Sequence, residues 1–155
     1  MSHMADQTKC MDKIPQGVFI VGTRMNDSFD LMTAAFVTQV SFQPCSLALS
    51  VANDHYTAQL IREQGQFSLS VLEAGQVLEA KSCGYQSGRT VDKAKRMKLH
   101  LTPQGLPIVD DAAAWMVCTV KQTVAYEDHT VFLAEIVDGA DTPGQPMIYN
   151  SAEFF

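Results

Sequence analysis

The stretch LMTAAFVTQVSFQP runs from Leu31 to Pro44 and contains no charged side chain. Small residues and hydroxyls lie among its apolar residues, and the pattern matches neither an amphipathic helix nor a cleanly alternating strand. Two interpretations remain open. Either the stretch belongs to the core, or it lines a pocket for a flat ligand that is uncharged on one side.

The composition is that of a globular domain. The chain has 155 residues, of which 46% are hydrophobic and 18% are charged, so a packed core is expected. The formal net charge of -6 argues against a nucleic acid or an anionic membrane as the partner. No apolar run is long enough to span a membrane and the N-terminus lacks a signal-peptide pattern, so a cytoplasmic protein is expected.

The first residues are treated separately from the domain. Ser2 and His3 precede a second methionine, Met4, and resemble the remnant of a cloning tag. We therefore set aside residues 1–13 as an N-terminal extension and expect a single domain over residues 14–155.

Short β-rich runs bounded by turn residues dominate the chain. Strands are predicted over 17–24, 46–52 and 67–72, a hairpin over 114–139 with its turn at 126–128, and one more short strand in the C-terminal MIYNSAEFF. A helix is predicted from Tyr56, capped by Asn53 or Asp54 and ended by Gly65, and a short helix over 73–80. Roughly six strands with two or three helices predict a mainly β (α+β) fold, an antiparallel sheet or barrel with appended helices.

The common short catalytic motifs are missing from the sequence. The four cysteines form no CxxC and the four histidines form no HExxH, so no zinc site is predicted. The glycine patterns of dinucleotide folds, phosphate loops and serine hydrolases do not occur either. Reduced and mostly buried thiols are expected.

Polar residues cluster where the helix from Tyr56 begins. A helix N-terminus suits a phosphate, and Asn53, His55 and Thr57 offer an amide, an imidazole and a hydroxyl there. From the residues alone, helix capping is favoured over anion binding. His129 is either a turn residue of the hairpin or a contact for a substrate. The basic segment 93–98 is either a solvated face or a docking site for an acidic partner or a phosphate.

Seven segments carry a family resemblance, and they occur in one order over nearly the whole chain, from about Ile14 to Tyr149. They are IPQGVFIVGTR, LMTAAFVTQVSFQP, VANDHYTAQLI, QFSLSVL, CGYQSGRTVDK, GLPIVDDAAAWMVCTV and EDHTVFLAEIVDG. Together they resemble the flavin reductase-like family, the FMN-binding split barrels. The sequences of these segments are most similar to those of flavoredoxins and of reductase modules linked to rubredoxin. Asn53 departs from the pattern, since a basic residue is frequent at that place.

The resemblance implies a six-stranded antiparallel split β-barrel with short appended helices, and a flavin site. It places the flavin ring along the opening stretch, at Thr33, Ala34, Ala35, Phe36, Val37, Thr38 and Ser41. It places the phosphate near Asn53, His55, Tyr56 and Thr57, and a second wall at Ser87, Gly88 and Arg89. It makes His129 the candidate catalytic contact for the nicotinamide or the flavin edge.

The activity implied is NAD(P)H-dependent reduction of FMN (or FAD) by hydride transfer to flavin N5. NADH or NADPH is then the co-substrate, and a homodimer is expected. Two alternatives remain. The chain either holds FMN tightly and passes electrons to a protein partner, or it is a non-catalytic dimer that binds a flavin or another small ligand.

Overall fold

Strands make up most of the computed structural model, which describes residues 3–26, 28–84 and 97–150. The helices are α1 (His3–Met11), α2 (Tyr56–Gln64) and α3 (Val77–Gly84). The strands are β1 (Phe19–Met25), β2 (Ser28–Ala34), β3 (Val37–Phe42), β4 (Cys45–Ala52), β5 (Gln66–Val71), β6 (Leu99–Leu101), β7 (Pro107–Val109), β8 (Ala114–Tyr126) and β9 (His129–Asp141). The expected mainly β fold with short helices is confirmed.

The uncharged opening stretch forms two strands rather than one element. Its first part completes β2, its second part is β3, and only Ala35 and Phe36 separate them. The seven-stranded antiparallel sheet has the order β2-β1-β5-β8-β9-β4-β3, so β2 and β3 are its two opposite edges. A fully extended chain covers at most about 3.6 Å per residue, so the step from Ala34 to Val37 is roughly 11 Å long.

That short link forces the sheet to curl until its edges lie side by side. Among the described residues, no ladder of hydrogen bonds joins β2 to β3. The sheet is therefore a barrel with one open seam, as the family resemblance implies. It has seven strands where six were expected, because the opening stretch supplies a strand on each side of the seam. A separate two-stranded ribbon, β6–β7, lies outside it.

Several predicted boundaries are confirmed and others move. The turn of the β8–β9 hairpin is Glu127–Asp128, within the predicted 126–128. The short helix begins at Val77 rather than Glu73, because the Gln76 side chain accepts a hydrogen bond from the Glu73 N–H at 2.8 Å and closes a turn there. Of the predicted C-terminal strand, the described residues form only one isolated bridge, from Ile148 to Gly17.

Helix α2 ends as predicted but begins differently. Gly65 closes it in the left-handed conformation, with φ of 68°. His55, and neither Asn53 nor Asp54, occupies the N-cap position, and its side chain makes no capping hydrogen bond. The capping hypothesis for Asn53 and Asp54 is therefore wrong, and the polar groups before α2 serve other contacts.

The main core fills the inside of the curled sheet under α2. It contains Val21, Leu49, Ile61, Phe67 and Phe132, each fully buried. These residues come from β1, β4, α2, β5 and β9, so one cluster holds the elements that surround the seam. Burial of large apolar side chains is the dominant stabilising term for such a cluster.

Candidate functional site

A cavity of about 430 Å³ lies beside the seam of the sheet. It is surrounded by residues from α1, the end of β2, the two-residue link, the end of β4, the start of α2, the start of β9 and the C-terminal segment. They are Thr8, Met11, Asp12, Ile14, Gln16, Met32, Thr33, Ala34, Ala35, Phe36, Ser50, Val51, Ala52, His55, His129 and Tyr149. The volume lies within the roughly 300–1,000 Å³ typical of small-molecule sites.

One wall of the cavity is made of small residues. Ala34 and Ala35 at the link and Ala52 at the end of β4 keep the side chains short there. The Thr33 hydroxyl donates a 2.6 Å hydrogen bond to the Ala80 carbonyl. The Phe36 carbonyl accepts a 3.0 Å hydrogen bond from the Ser50 N–H, which connects the link to β4. This wall allows close approach of a planar ligand.

His129 stands at the edge of the same cavity. It is the first residue of β9, where it pairs with Ala52 of β4 and with Tyr126 of β8. The Phe36 ring stacks on its imidazole with 5.7 Å between centroids. Its Nδ1 lies 2.8 Å from the Asp128 carboxylate. The hydrogen bond to His129, and then its charge, lower the pKa of Asp128. With Nδ1 engaged, Nε2 is the nitrogen left to meet a ligand.

The start of α2 contributes less side-chain chemistry to the cavity than its sequence suggests. His55 lines the cavity. The Thr57 hydroxyl instead donates a 2.5 Å hydrogen bond to the carboxyl group of Asp30, and both side chains are about 1% exposed. Asn53 turns its amide towards the β8–β9 turn. Tyr56 is half-buried beside this point and does not line the cavity.

The remaining predicted residues lie elsewhere. Val37, Thr38 and Ser41 follow the link along β3, and none of them lines the cavity. Ser87, Gly88 and Arg89 lie outside the described residues, as does most of the basic segment 93–98. The structure therefore brings together Thr33, Ala34, Ala35, Phe36, His55 and His129 from the predicted set.

Sequence reasoning missed two parts of the cavity wall. Thr8, Met11 and Asp12 belong to the segment that was set aside as an N-terminal extension. Tyr149 lies near the other end of the chain, and its backbone N–H donates a 2.8 Å hydrogen bond to the Gln16 carbonyl. Burial, and then the charge of Asp12, raise the pKa of Tyr149. No local pattern in the sequence points to these residues, since they meet only across the fold.

Within the described ranges, no three His, Cys, Asp or Glu side chains are placed to hold a metal ion. No described helix has both the length and the apolar character needed to cross a bilayer.

Comparison with known proteins agrees with this architecture. The sequence pattern of the family described as flavin reductase like domain matches residues 11–155. The chain belongs to this family, and the resemblance read from the sequence is confirmed.

Two curated relatives are longer than this chain. The high molecular weight rubredoxin of Moorella thermoacetica is 29% identical over 145 residues, covering 92% of this chain and 63% of the relative. Diflavin flavoprotein A 1 of Synechocystis is 27% identical over 137 residues, covering 87% of this chain and 24% of the relative. This chain thus spans less than two thirds of either relative.

A solved structure covers nearly the whole fold. The NADH:FAD oxidoreductase SgcE6 of Streptomyces globisporus superposes with a TM-score of 0.89 at 26% identity, covering 96% of this chain and 90% of that one. The same protein in complex with NAD and FAD fragments superposes with a TM-score of 0.87 at 27% identity, covering 96% of this chain and 88% of the other.

Proposed function

We propose that this chain is a flavin-binding oxidoreductase that uses NADH or NADPH to reduce FMN, or FAD. The observation that carries the proposal is the wall of small residues with His129 beside it, in a cavity of cofactor size. Membership of the flavin reductase like domain family supports it. So does the likeness to an oxidoreductase solved with NAD and FAD fragments.

The residues present fit a flavin. Ala34, Ala35 and Ala52 offer a surface that a planar ring can approach closely, and no described side chain places a formal positive charge against it. Thr33 stands beside this surface, with its hydroxyl held by Ala80. A bound flavin would supply an acceptor for hydride at N5. The chain's task is then to orient two rings and to exclude water between them.

His129 is the proposed contact for the reacting rings. Its Nε2 faces a ligand while Asp128 holds Nδ1 and Phe36 covers one face of the imidazole. In this position the imidazole can donate a hydrogen bond to a carbonyl of the nicotinamide or of the flavin edge.

The phosphate is proposed to lie at the start of α2. His55 supplies a side chain there, and backbone groups of Tyr56 and Thr57 belong to the helix N-terminus, which favours an anion. Val37, Thr38 and Ser41 are proposed contacts for the part of the flavin that extends beyond the cavity along β3. Ser87, Gly88 and Arg89 remain the proposed second wall.

The test is an absorption spectrum of the protein with FMN, recorded under argon before and after addition of NADH or NADPH. A reductase bleaches the flavin band rapidly with at least one nucleotide. Ala35→Glu should abolish flavin binding, because it places bulk and charge on the wall of small residues. Gln122→Glu, an exposed change in β8 away from the cavity, is the matched control. A protein that leaves the band of added FMN and FAD unchanged contradicts the proposal.

A second candidate is an electron carrier that holds FMN and passes electrons to a protein partner. The 29% identity to a high molecular weight rubredoxin favours it. Such a protein keeps its flavin through dialysis and shows little NAD(P)H consumption with excess free flavin. Its flavin still bleaches with dithionite, which separates the carrier from a protein without flavin.

A homodimer is part of the proposal. The open edge strand β3 exposes Phe42 at 92% and Val40 at 50%, and the neighbouring Phe36 at 43%. Exposed apolar side chains along an unpaired strand edge favour contact with another chain. A second copy of the chain on this edge would cover them beside the cavity.

A further inference from the structure

Asn53 is bonded to the residues on both sides of His129. Its backbone N–H donates to the Asp128 carbonyl at 2.9 Å. Its side-chain Oδ1 accepts from the Thr130 hydroxyl at 2.6 Å. The chain separation between Asn53 and Thr130 is 77 residues, so these contacts join two distant parts of the fold.

The same side chain also holds the hairpin turn. Its Nδ2 donates to the Glu127 carbonyl at 2.9 Å. Glu127 is one of two described non-glycine residues with positive φ, at 51°, a conformation that such residues adopt only when their surroundings enforce it. Asn53 therefore holds the carbonyls of both turn residues, Glu127 and Asp128.

Helix α2 anchors this arrangement from the other side. Arg62 donates from Nη1 to the Thr130 hydroxyl at 3.3 Å, and Thr130 is 3% exposed. The Thr130 hydroxyl thus accepts from Arg62 and donates to Asn53. The start of β9 is thus fixed to α2 by the Thr130–Arg62 bond and to the segment before α2 by the Thr130–Asn53 bond.

We propose that Asn53 is a positioning residue for His129, a proposal that rests on the proposed function. It holds the turn so that the Asp128 carboxylate meets His129 Nδ1 and Nε2 is presented to the cavity. An amide is required because one end must donate to Glu127 while the other accepts from Thr130. This role differs from the flavin-phosphate contact that the sequence suggested for Asn53.

The test uses the purified full chain and two variants that remove different bonds. Asn53→Asp keeps the size and the acceptor but removes the donor to Glu127. Thr130→Val keeps the packing volume and removes the hydroxyl bond to Oδ1, so it serves if an Asn53 variant fails to fold. Gln59→Ala, an exposed change in helix α2, is the control.

The first readout is the nitrogen NMR spectrum of the His129 ring, which reports the tautomer and needs no flavin. The Asn53 and Thr130 variants should shift the balance between Nδ1–H and Nε2–H, while Gln59→Ala leaves it unchanged. The second readout is steady-state kinetics. We expect kcat to fall at least tenfold, while the dissociation constant for FMN changes less than threefold.

The outcomes separate the two proposals. If no wild-type NAD(P)H oxidation is seen, the proposed function fails, while the NMR readout still tests the positioning role. An unchanged His129 spectrum in folded Asn53→Asp and Thr130→Val overturns the positioning role. If FMN affinity also falls more than tenfold in Asn53→Asp alone, Asn53 is a flavin ligand instead.

Discussion

The Phe36 ring stacks on the His129 imidazole with 5.7 Å between their centroids and 30° between their planes. Phe36 lies in the two-residue link that joins the sheet edges, and His129 lies in the strand next to β4. Curling of the sheet is therefore what brings these two residues together. The candidate site forms where the barrel would otherwise close.

Removal of the Phe36 ring should loosen His129 without unfolding the protein. An aromatic pair contributes about 0.5–1.5 kcal/mol, so Phe36→Ala should weaken FMN binding by roughly three- to tenfold. Since Phe36 is 43% exposed, the free energy of unfolding should change little. Fluorescence titration with FMN measures the first effect and urea unfolding the second. Phe36→Tyr keeps the ring and should bind normally; equal affinity of Phe36→Ala and the wild type would contradict the stacking role.

The hydroxyl of Thr57 should matter for stability rather than for flavin binding. Thr57→Val leaves the buried carboxyl group of Asp30 without its donor, which costs about 1–3 kcal/mol of unfolding free energy. The affinity for FMN should change by less than about twofold, since the hydroxyl is directed at Asp30. Thr57→Ser keeps the donor and is the control. A large loss of affinity at unchanged stability would show that the hydroxyl binds the phosphate, as the sequence suggested.

Gly22 should tolerate no side chain. A Cβ there would lie 2.5 Å from Ser68 Oγ and 2.8 Å from Pro107 Cγ, inside the packing of β1 against β5 and β7. Gly22→Ala should therefore destabilise the fold by about 1–3 kcal/mol, measured by urea unfolding. Gly65→Ala is the comparison: nothing lies within 4 Å of its Cβ, so it meets only the cost of its φ of 68°, about 1 kcal/mol. A lower cost for Gly22→Ala than for Gly65→Ala would contradict this packing.

The four cysteines should divide into two pairs by reactivity. Cys10 and Cys45 are exposed, whereas Cys83 and Cys118 are buried. Burial, and then the charge of Cys45, raise the pKa of Cys118 from 9.0 to about 12. Since the thiolate is the nucleophile, two thiols should react rapidly with a disulfide reagent at pH 8 and all four after denaturation. Cys45→Ser should remove one fast equivalent, and a third fast thiol in the native protein would contradict the burial.

The raised pKa of Cys118 implies that the free energy of unfolding depends on pH. The raised pKa of Cys118 means that the folded state keeps a proton that the unfolded state loses above pH 9.0. Its contribution is complete below pH 9.0 and is lost as the pH rises towards 12. The unfolding free energy should therefore fall more steeply over this range in the wild type than in Cys118→Ser. Parallel slopes would contradict the prediction.

The open edge of β3 should decide the oligomeric state. Phe42→Glu places a charge at the most exposed apolar side chain of this edge and should convert the proposed dimer to a monomer. Light scattering coupled to size exclusion measures the mass. Leu78→Glu, at another exposed apolar side chain on α3, is the control and should keep the dimer. A wild-type monomer, or a dimeric Phe42→Glu, would exclude this edge as the interface.

Local patterns in the sequence were sufficient for most elements. Strands are predicted from the alternation in 46–52 and 67–72 and from the hairpin around Glu127. The observed strand bounds agree with these predictions to within one or two residues. Gly65 ends α2 because its missing side chain permits the left-handed conformation, a property of that residue alone. The small, uncharged residues Ala34 and Ala35 of the wall were also predictable, since small residues leave space whatever surrounds them.

The sequence by itself determined the family, the run of strands and the small, uncharged residues Ala34 and Ala35 of the cavity wall, because these follow from residue type and spacing. Only the tertiary structure decided that the opening stretch crosses a seam, that the Thr57 hydroxyl donates a hydrogen bond to Asp30, and that Asn53 bonds to the turn beside His129. These relations join residues 27 to 77 positions apart. The curl of the sheet determines which distant residues come into contact, and these contacts cannot be deduced from spacing along the chain.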